Sequence, residues 1–109
     1  MTMRHFIRPR AIEDVDEHLD FYARESGPSL ALRFLTSLEE AIRFLHEHPE
    51  AGAPRKVRNR RLRGLRSWPV PGFADIRLYY LQPEPDLLRV IRVLHGKRDV
   101  DRILTSDRN

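Results

Sequence analysis

In Leu87-Leu88-Arg89-Val90-Ile91-Arg92-Val93-Leu94-His95, apolar residues fall on both faces of a period-two repeat. Leu88, Val90, Arg92 and Leu94 share one face, and Leu87, Arg89, Ile91, Val93 and His95 share the other. Both faces are mainly apolar and rich in β-branched residues, which suits a strand with neighbours at both edges and cover on both sides. The pattern therefore predicts the central strand of a sheet. Gly96 ends it, and Lys97-Arg98-Asp99 is too charged to continue a buried strand.

Upstream the period changes. His5-Phe6-Ile7-Arg8 reads as a short strand closed by Pro9, which has no N–H for a ladder. From Arg10 to about Glu25, Ile12, Val15, Leu19 and Tyr22 recur at helical spacing. Glu13, Asp14, Asp16 and Glu17 sit in the early turns, where the helix dipole favours negative charge. Ser26-Gly27-Pro28 breaks this helix and starts a second, running from about Pro28 to His46. Its apolar face is Ala31, Phe34, Leu35, Leu38, Ala41, Ile42 and Leu45. So short a connection makes an antiparallel helical hairpin, and neither helix can bury its stripe without a sheet beneath it.

Two further strands precede the central one. Arg61 to Trp68 alternates imperfectly, with Gly64 as a bulge candidate. Phe73 to Leu81 alternates well, and Gln82-Pro83-Glu84-Pro85-Asp86 turns it into the central strand. A last helical turn is expected from Asp99 to about Leu104, with Val100, Ile103 and Leu104 as its apolar contacts. The order β-α-α-β-β-β predicts an α+β fold with the helical hairpin on one face of a mainly antiparallel four-stranded sheet. On this reading the other sheet face has no segment to cover it, and an uncovered, partly apolar face predicts a partner surface.

At 109 residues the chain predicts one domain, 1–109. With 40% hydrophobic and 33% charged residues it is a globular composition, not a disordered one. It has no cysteine, which excludes disulfides and thiolate metal sites. No apolar run reaches the roughly 18 residues of a membrane span, and Arg4 and Arg8 interrupt any signal-peptide core. A cytoplasmic location is expected. Arg55, Lys56, Arg58, Arg60, Arg61, Arg63 and Arg66 fall within twelve residues that hold no acid. The other thirteen basic residues face sixteen acidic ones, so the cationic excess is local to this run. Such a run attracts phosphate, nucleic acid or an acidic protein surface, or is only a solvated loop.

Several strings also resemble a known family: Ala11 to Tyr22, Pro28-Ser29-Leu30-Ala31-Leu32-Arg33-Phe34, His48-Pro49-Glu50-Ala51-Gly52, Leu62-Arg63, Ile76-Arg77-Leu78-Tyr79-Tyr80, and Val93-Leu94-His95-Gly96-Lys97-Arg98-Asp99. Their order and spacing, from about Phe6 to Leu104, resemble the RelE/ParE superfamily of bacterial type II toxins, and the ParE-like members most. The resemblance implies a compact toxin neutralised by a cognate antitoxin that wraps over it. It implies DNA gyrase as the target, or, in the RelE-like alternative, ribosome-dependent cleavage of mRNA.

The residues bear on that choice. Metal-independent RNA cleavage needs a base, an acid and cations for the phosphorane. RelE-like nucleases tend to carry a tyrosine or histidine at or after the last strand. Here no aromatic residue follows Tyr80, and only His95 stands there. The first reading is therefore a binding toxin without catalytic residues, with the basic run as its target contact. The alternative assigns catalysis to His95, Arg61, Arg63 and Tyr79. His95 is equally a strand-end histidine bonded to backbone, and the rings of Tyr79 and Tyr80 equally serve packing. His46 and His48 diverge on a helix and lack companions for a tetrahedral set, so no metal site is expected. No cofactor or small-molecule ligand is expected either. Trp68, just past the basic run, is a candidate partner anchor or base-stacking ring, or a cap on the core.

Overall fold

The period-two segment Leu87–His95 forms strand β5. In the computed structural model, which describes residues 2–96, 98 and 100–106, β5 pairs in parallel with β1 (Arg4–Ile7). On its other edge it pairs antiparallel with β4 (Phe73–Glu84). The sheet continues through β3 (Arg66–Val70) to the two-residue β2 (Ala53–Pro54), in the order β1-β5-β4-β3-β2. The α+β class and the helical hairpin are as expected. The sheet has five strands instead of four, and β4 takes the middle position, with β5 beside it. The extra strand, Ala53–Pro54, is too short for periodicity to show. The strand expected from Arg61 begins at Arg66, because Arg60–Leu62 form a 3-10 turn whose first N–H groups are held by Asn59. Gly64 then turns the chain at φ +86°, a conformation that favours glycine.

Helices α1 (Pro9–Ser26) and α2 (Pro28–Glu47) are joined by Gly27 alone, at φ +93°. They lie on one face of the sheet. Phe34, Leu38, Ala41 and Leu45 of α2 pack over Ile76, Leu78, Tyr80, Leu88 and Val90. Val15, Leu19 and Tyr22 of the expected α1 stripe pack in or against the core, and the departure is at the helix start. Ala11, Asp14 and Val15 are buried, while Ile12 is 48% exposed.

Strand β1 stops at Ile7, so beyond Val90 one edge of β5 has no strand beside it. Backbone and side chains of the β1–α1 segment take its place. The Arg8 N–H donates to the Val90 carbonyl at 3.1 Å. Asp14 accepts the Val93 N–H at 3.0 Å, and Nε2 of His18 donates to the Val93 carbonyl at 2.9 Å. Because a carbonyl only accepts, His18 carries its proton on Nε2. Asp14 also receives a two-pronged guanidinium contact from Arg92, at 2.7 and 2.9 Å. Both partners are buried, which satisfies each charge where water cannot.

The opposite face of the sheet is covered, contrary to expectation. Val57, Leu62 and Leu65 from the basic run and Val100 and Leu104 from α3 (Val100–Thr105) pack on Tyr79, Leu81, Ile91 and Leu94. Asn59 donates to the Leu104 carbonyl at 3.1 Å and fastens the two covering segments together. Three apolar side chains spread through a cationic run carry too little periodicity to announce this from the sequence. Lys97 and Asp99 of the string after β5, and the expected helix start at Asp99, lie outside the described residues.

Candidate functional site

The basic run is amphipathic, and its seven cations divide by role. Arg55 is a strut: it donates to Asp101 of α3 at 3.3 Å and lies over the Tyr79 ring, 5.6 Å from its centroid. Arg66 donates to the Glu50 and Gly52 carbonyls at 3.1 and 2.8 Å. Lys56, Arg58, Arg60, Arg61 and Arg63 are exposed. Arg61, Arg63 and Arg66 then converge with Arg89 of β5 around a cleft of about 340 Å³ at one end of the sheet. Arg89 is 23 residues beyond Arg66, so no scan for a basic run could have included it. Its position follows from the β4–β5 pairing, which sets Arg89 opposite Leu81.

A tyrosine holds the rim of this cleft. Tyr80 donates through its hydroxyl to the Pro49 carbonyl at 2.8 Å and accepts the Gly52 N–H at 2.9 Å. Its ring therefore fixes the His48–Gly52 loop that also anchors Arg66. Burial pushes the Tyr80 hydroxyl pKa up, against smaller downward pulls from the Gly52 N–H and Arg66, so the group stays protonated.

The residues of the nuclease alternative do not come together. Arg61 and Arg63 line the cleft, but His95 pairs with Ile76 at the far end of the β4–β5 hairpin. Six residues of strand separate His95 from Arg89, on the order of 20 Å at about 3.3 Å per residue. Tyr79 lies 1% exposed under Arg55. Burial raises its pKa, with Arg55 and Arg77 pulling it partly back. A buried, protonated phenol is no general base at neutral pH.

Trp68 stacks on Phe44 of α2 with rings 5.0 Å apart and 13° from parallel, and His48 lies on the other side of that series, 4.7 Å from Phe44. The indole therefore packs between sheet and helix, on the face of the hairpin. His46 does not meet His48. Its Nε2 shares a hydrogen bond of 2.9 Å with Nδ1 of His5 on β1. This pair sits at the mouth of a groove of about 480 Å³, lined by Ile7, Ile12, Val15, Leu35, Leu38 and Ile42. Among the described residues no group of three or more His, Cys, Asp or Glu side chains is placed to hold a metal.

Partial burial holds His46 below the ordinary histidine value, and the His5 charge acts in the same direction. The folded state then binds this proton less readily than the unfolded chain does. Stability is expected to fall as pH drops below about 6.5, towards the folded pKa, and to level off beneath it. The slope should be shallower in His46→Gln. Thermal melts of both proteins between pH 5 and 7.5 check this; identical slopes would remove the His5–His46 pair from the account.

Comparison with known proteins agrees with the geometry. Residues 6–100 match the family model described as ParE toxin of type II toxin-antitoxin system, parDE. The chain belongs to the ParE toxin family. Among curated proteins none matches this ParE-family chain in sequence. A similar solved structure is a chain of the chromosomal ParDE toxin–antitoxin system from P. aeruginosa, with a TM-score of 0.70 and 19% identity. The match covers 88% of this chain and 98% of that one. The protein is thus a ParE-like type II toxin by family, with two helices on a mixed sheet as in that structure. Among the described residues no helix is long and apolar enough to cross a membrane.

Proposed function

We propose that this ParE-family toxin arrests growth in the bacterial cytoplasm by binding and poisoning DNA gyrase, and that a cognate antitoxin holds it inactive. The family match over residues 6–100 carries this reading. The separation of His95 from the arginine cleft supports binding over catalysis, because an acid or base some 20 Å away cannot serve a phosphate held there. The exposed cations of the basic run are the proposed target contacts: Lys56, Arg58, Arg60, Arg61 and Arg63, with Arg66 beside them. Arg55, tied to Asp101, acts there as a support. With the second sheet face covered by the chain itself, the antitoxin is left the helical hairpin. There Phe21 and Leu32 are 51% and 64% exposed, and the groove capped by His5 and His46 lies open. Trp68 serves as packing beneath that surface. The whole domain, 1–109, carries this activity.

Antitoxin-free protein added in parallel to gyrase supercoiling and ribosome-bound mRNA cleavage assays should inhibit the first and leave the second unchanged. His95→Gln separates the chemistries further. It cannot exchange a proton near pH 7, and losing general acid–base help costs about 10²–10⁴-fold in a nuclease. Growth arrest should survive this change in proportion to folded protein. A stably folded, antitoxin-binding, harmless His95→Gln protein would instead establish the ribosome-dependent nuclease.

A further inference from the structure

We infer that the cleft between Arg61, Arg63, Arg66 and Arg89 is a binding site for the phosphate backbone of single-stranded nucleic acid. Four arginines from two parts of the chain, the basic run and β5, line about 340 Å³, and Glu50 is the one acidic residue among the described lining. Cations grouped in this way attract anions. Guanidinium forks match phosphate oxygens in pairs and are always charged. Tyr80 and Leu81 line the cleft, but their side chains are 1% and 8% exposed and packed into the cores on opposite faces of the sheet, so the floor is already closed by strand whose apolar groups are taken. The cleft therefore offers a ligand charge and hydrogen bonds, and no hollow for a buried apolar anchor.

Two features favour nucleic acid over an acidic peptide. Protein interfaces draw most of their energy from aromatic or apolar side chains seated in pockets, which the closed floor does not provide. Second, the cations continue past the cleft in a series. Arg60, Arg58 and Lys56 precede it in the chain, and Lys56 and Arg58 line a second hollow of about 380 Å³ together with Arg102 and one carboxylate, Asp101. Evenly charged phosphodiester chains suit such a track, since their affinity comes from releasing counterions at successive phosphates. Phe6 adds a ring for a base. It is the register neighbour of Arg89 on β1, so both lie on one sheet face, and it is 51% exposed. Stacking on aromatic rings tolerates any base, so the site would bind without sequence preference.

This extends the proposed role of the basic run, and its test needs neither gyrase nor ribosome, so the two readings fail separately. Fluorescein-labelled twelve-residue oligothymidylate and oligouridylate are titrated with purified toxin from 50 to 300 mM salt. With four phosphates engaged, log Kd against log salt should have a slope near 3 in magnitude, at about 0.7 per contact. Arg63→Gln and Arg89→Gln should each weaken binding several-fold and lower that slope by about 0.7. Arg89→Lys keeps the charge and should keep the slope, which distinguishes a lost contact from a lost fold. Arg33→Gln, on the exposed side of α2, should change nothing. Phe6→Ala should weaken binding and leave the slope intact. Preference between the two oligonucleotides tells DNA from RNA as the source of the phosphates. Binding that survives both Arg63→Gln and Arg89→Gln overturns the inference. So does displacement of the probe by deca-glutamate as readily as by unlabelled oligonucleotide, which would assign the cleft to an acidic protein.

Discussion

Asp14→Ala is expected to destabilise the protein by about 3–5 kcal/mol, the usual cost of leaving a buried charge without its partner. Arg92 is 4% exposed and Asp14 2%, so water cannot take over the lost contacts. A change of that size should lower Tm by on the order of 20 °C, at about 4–8 °C per kcal/mol for a domain of this length. Part of the loss belongs to backbone, because Asp14 also accepts the Val93 N–H where β5 has no neighbouring strand. The double variant Asp14→Leu/Arg92→Met removes both charges and should regain much of the stability. It should still fall short by about 1–3 kcal/mol, the cost of an unsatisfied buried N–H. Urea unfolding of the three proteins measures this. A single variant within 1 kcal/mol of the parent would show that the ion pair is not closed in solution.

Gly52→Ala should cost about 2–4 kcal/mol, for a reason specific to one contact. A Cβ at that position would lie 2.5 Å from the Tyr80 hydroxyl oxygen and 2.7 and 2.9 Å from two ring carbons. Tyr80 is 1% exposed, so its ring has little room to retreat. If it shifts, the hydrogen bonds to the Gly52 N–H and the Pro49 carbonyl lengthen or break, each worth about 1–3 kcal/mol when buried groups lose partners. Tyr80→Phe should cost about 1–3 kcal/mol by the same loss, and the two changes together should cost less than their sum, since they disrupt one contact. The loop's displacement would also move the Glu50 and Gly52 carbonyls that hold Arg66. Both variants should therefore weaken oligonucleotide binding as well as stability. Denaturant melts and the titration described above provide the two readouts; additive costs would mean that glycine and tyrosine act independently.

Part of the fold was legible in the chain alone. Spacings of three and four fixed α1 and α2 to within a residue or two, because a helix repeats its inward positions locally and Gly27-Pro28 interrupts them. Alternation located β5 and the start of β4 for the same reason, while β4 runs on to Glu84, through three residues expected to turn. The strings around His48–Gly52 and Tyr79–Tyr80 carried the family resemblance, and the structure gives them one physical cause: a tyrosine hydroxyl bonded across 28 residues to a glycine N–H. Tertiary structure decided the rest. Asp14 read as a helix-dipole carboxylate, yet it is buried against the part of β5 that β1, which ends opposite Val90, leaves uncovered. The basic run read as a charged contact surface or a solvated loop running into a strand, yet Val57, Leu62 and Leu65 also make it a cover for the second sheet face. Arg89 read as one polar residue in a strand, yet pairing with β4 brings it to Arg61, Arg63 and Arg66. Local patterns determine which backbone shape each segment adopts, because that depends on near neighbours. Which charges meet, and which edge or face lacks a partner, depends on pairings between distant segments, and these exist only once the chain has folded.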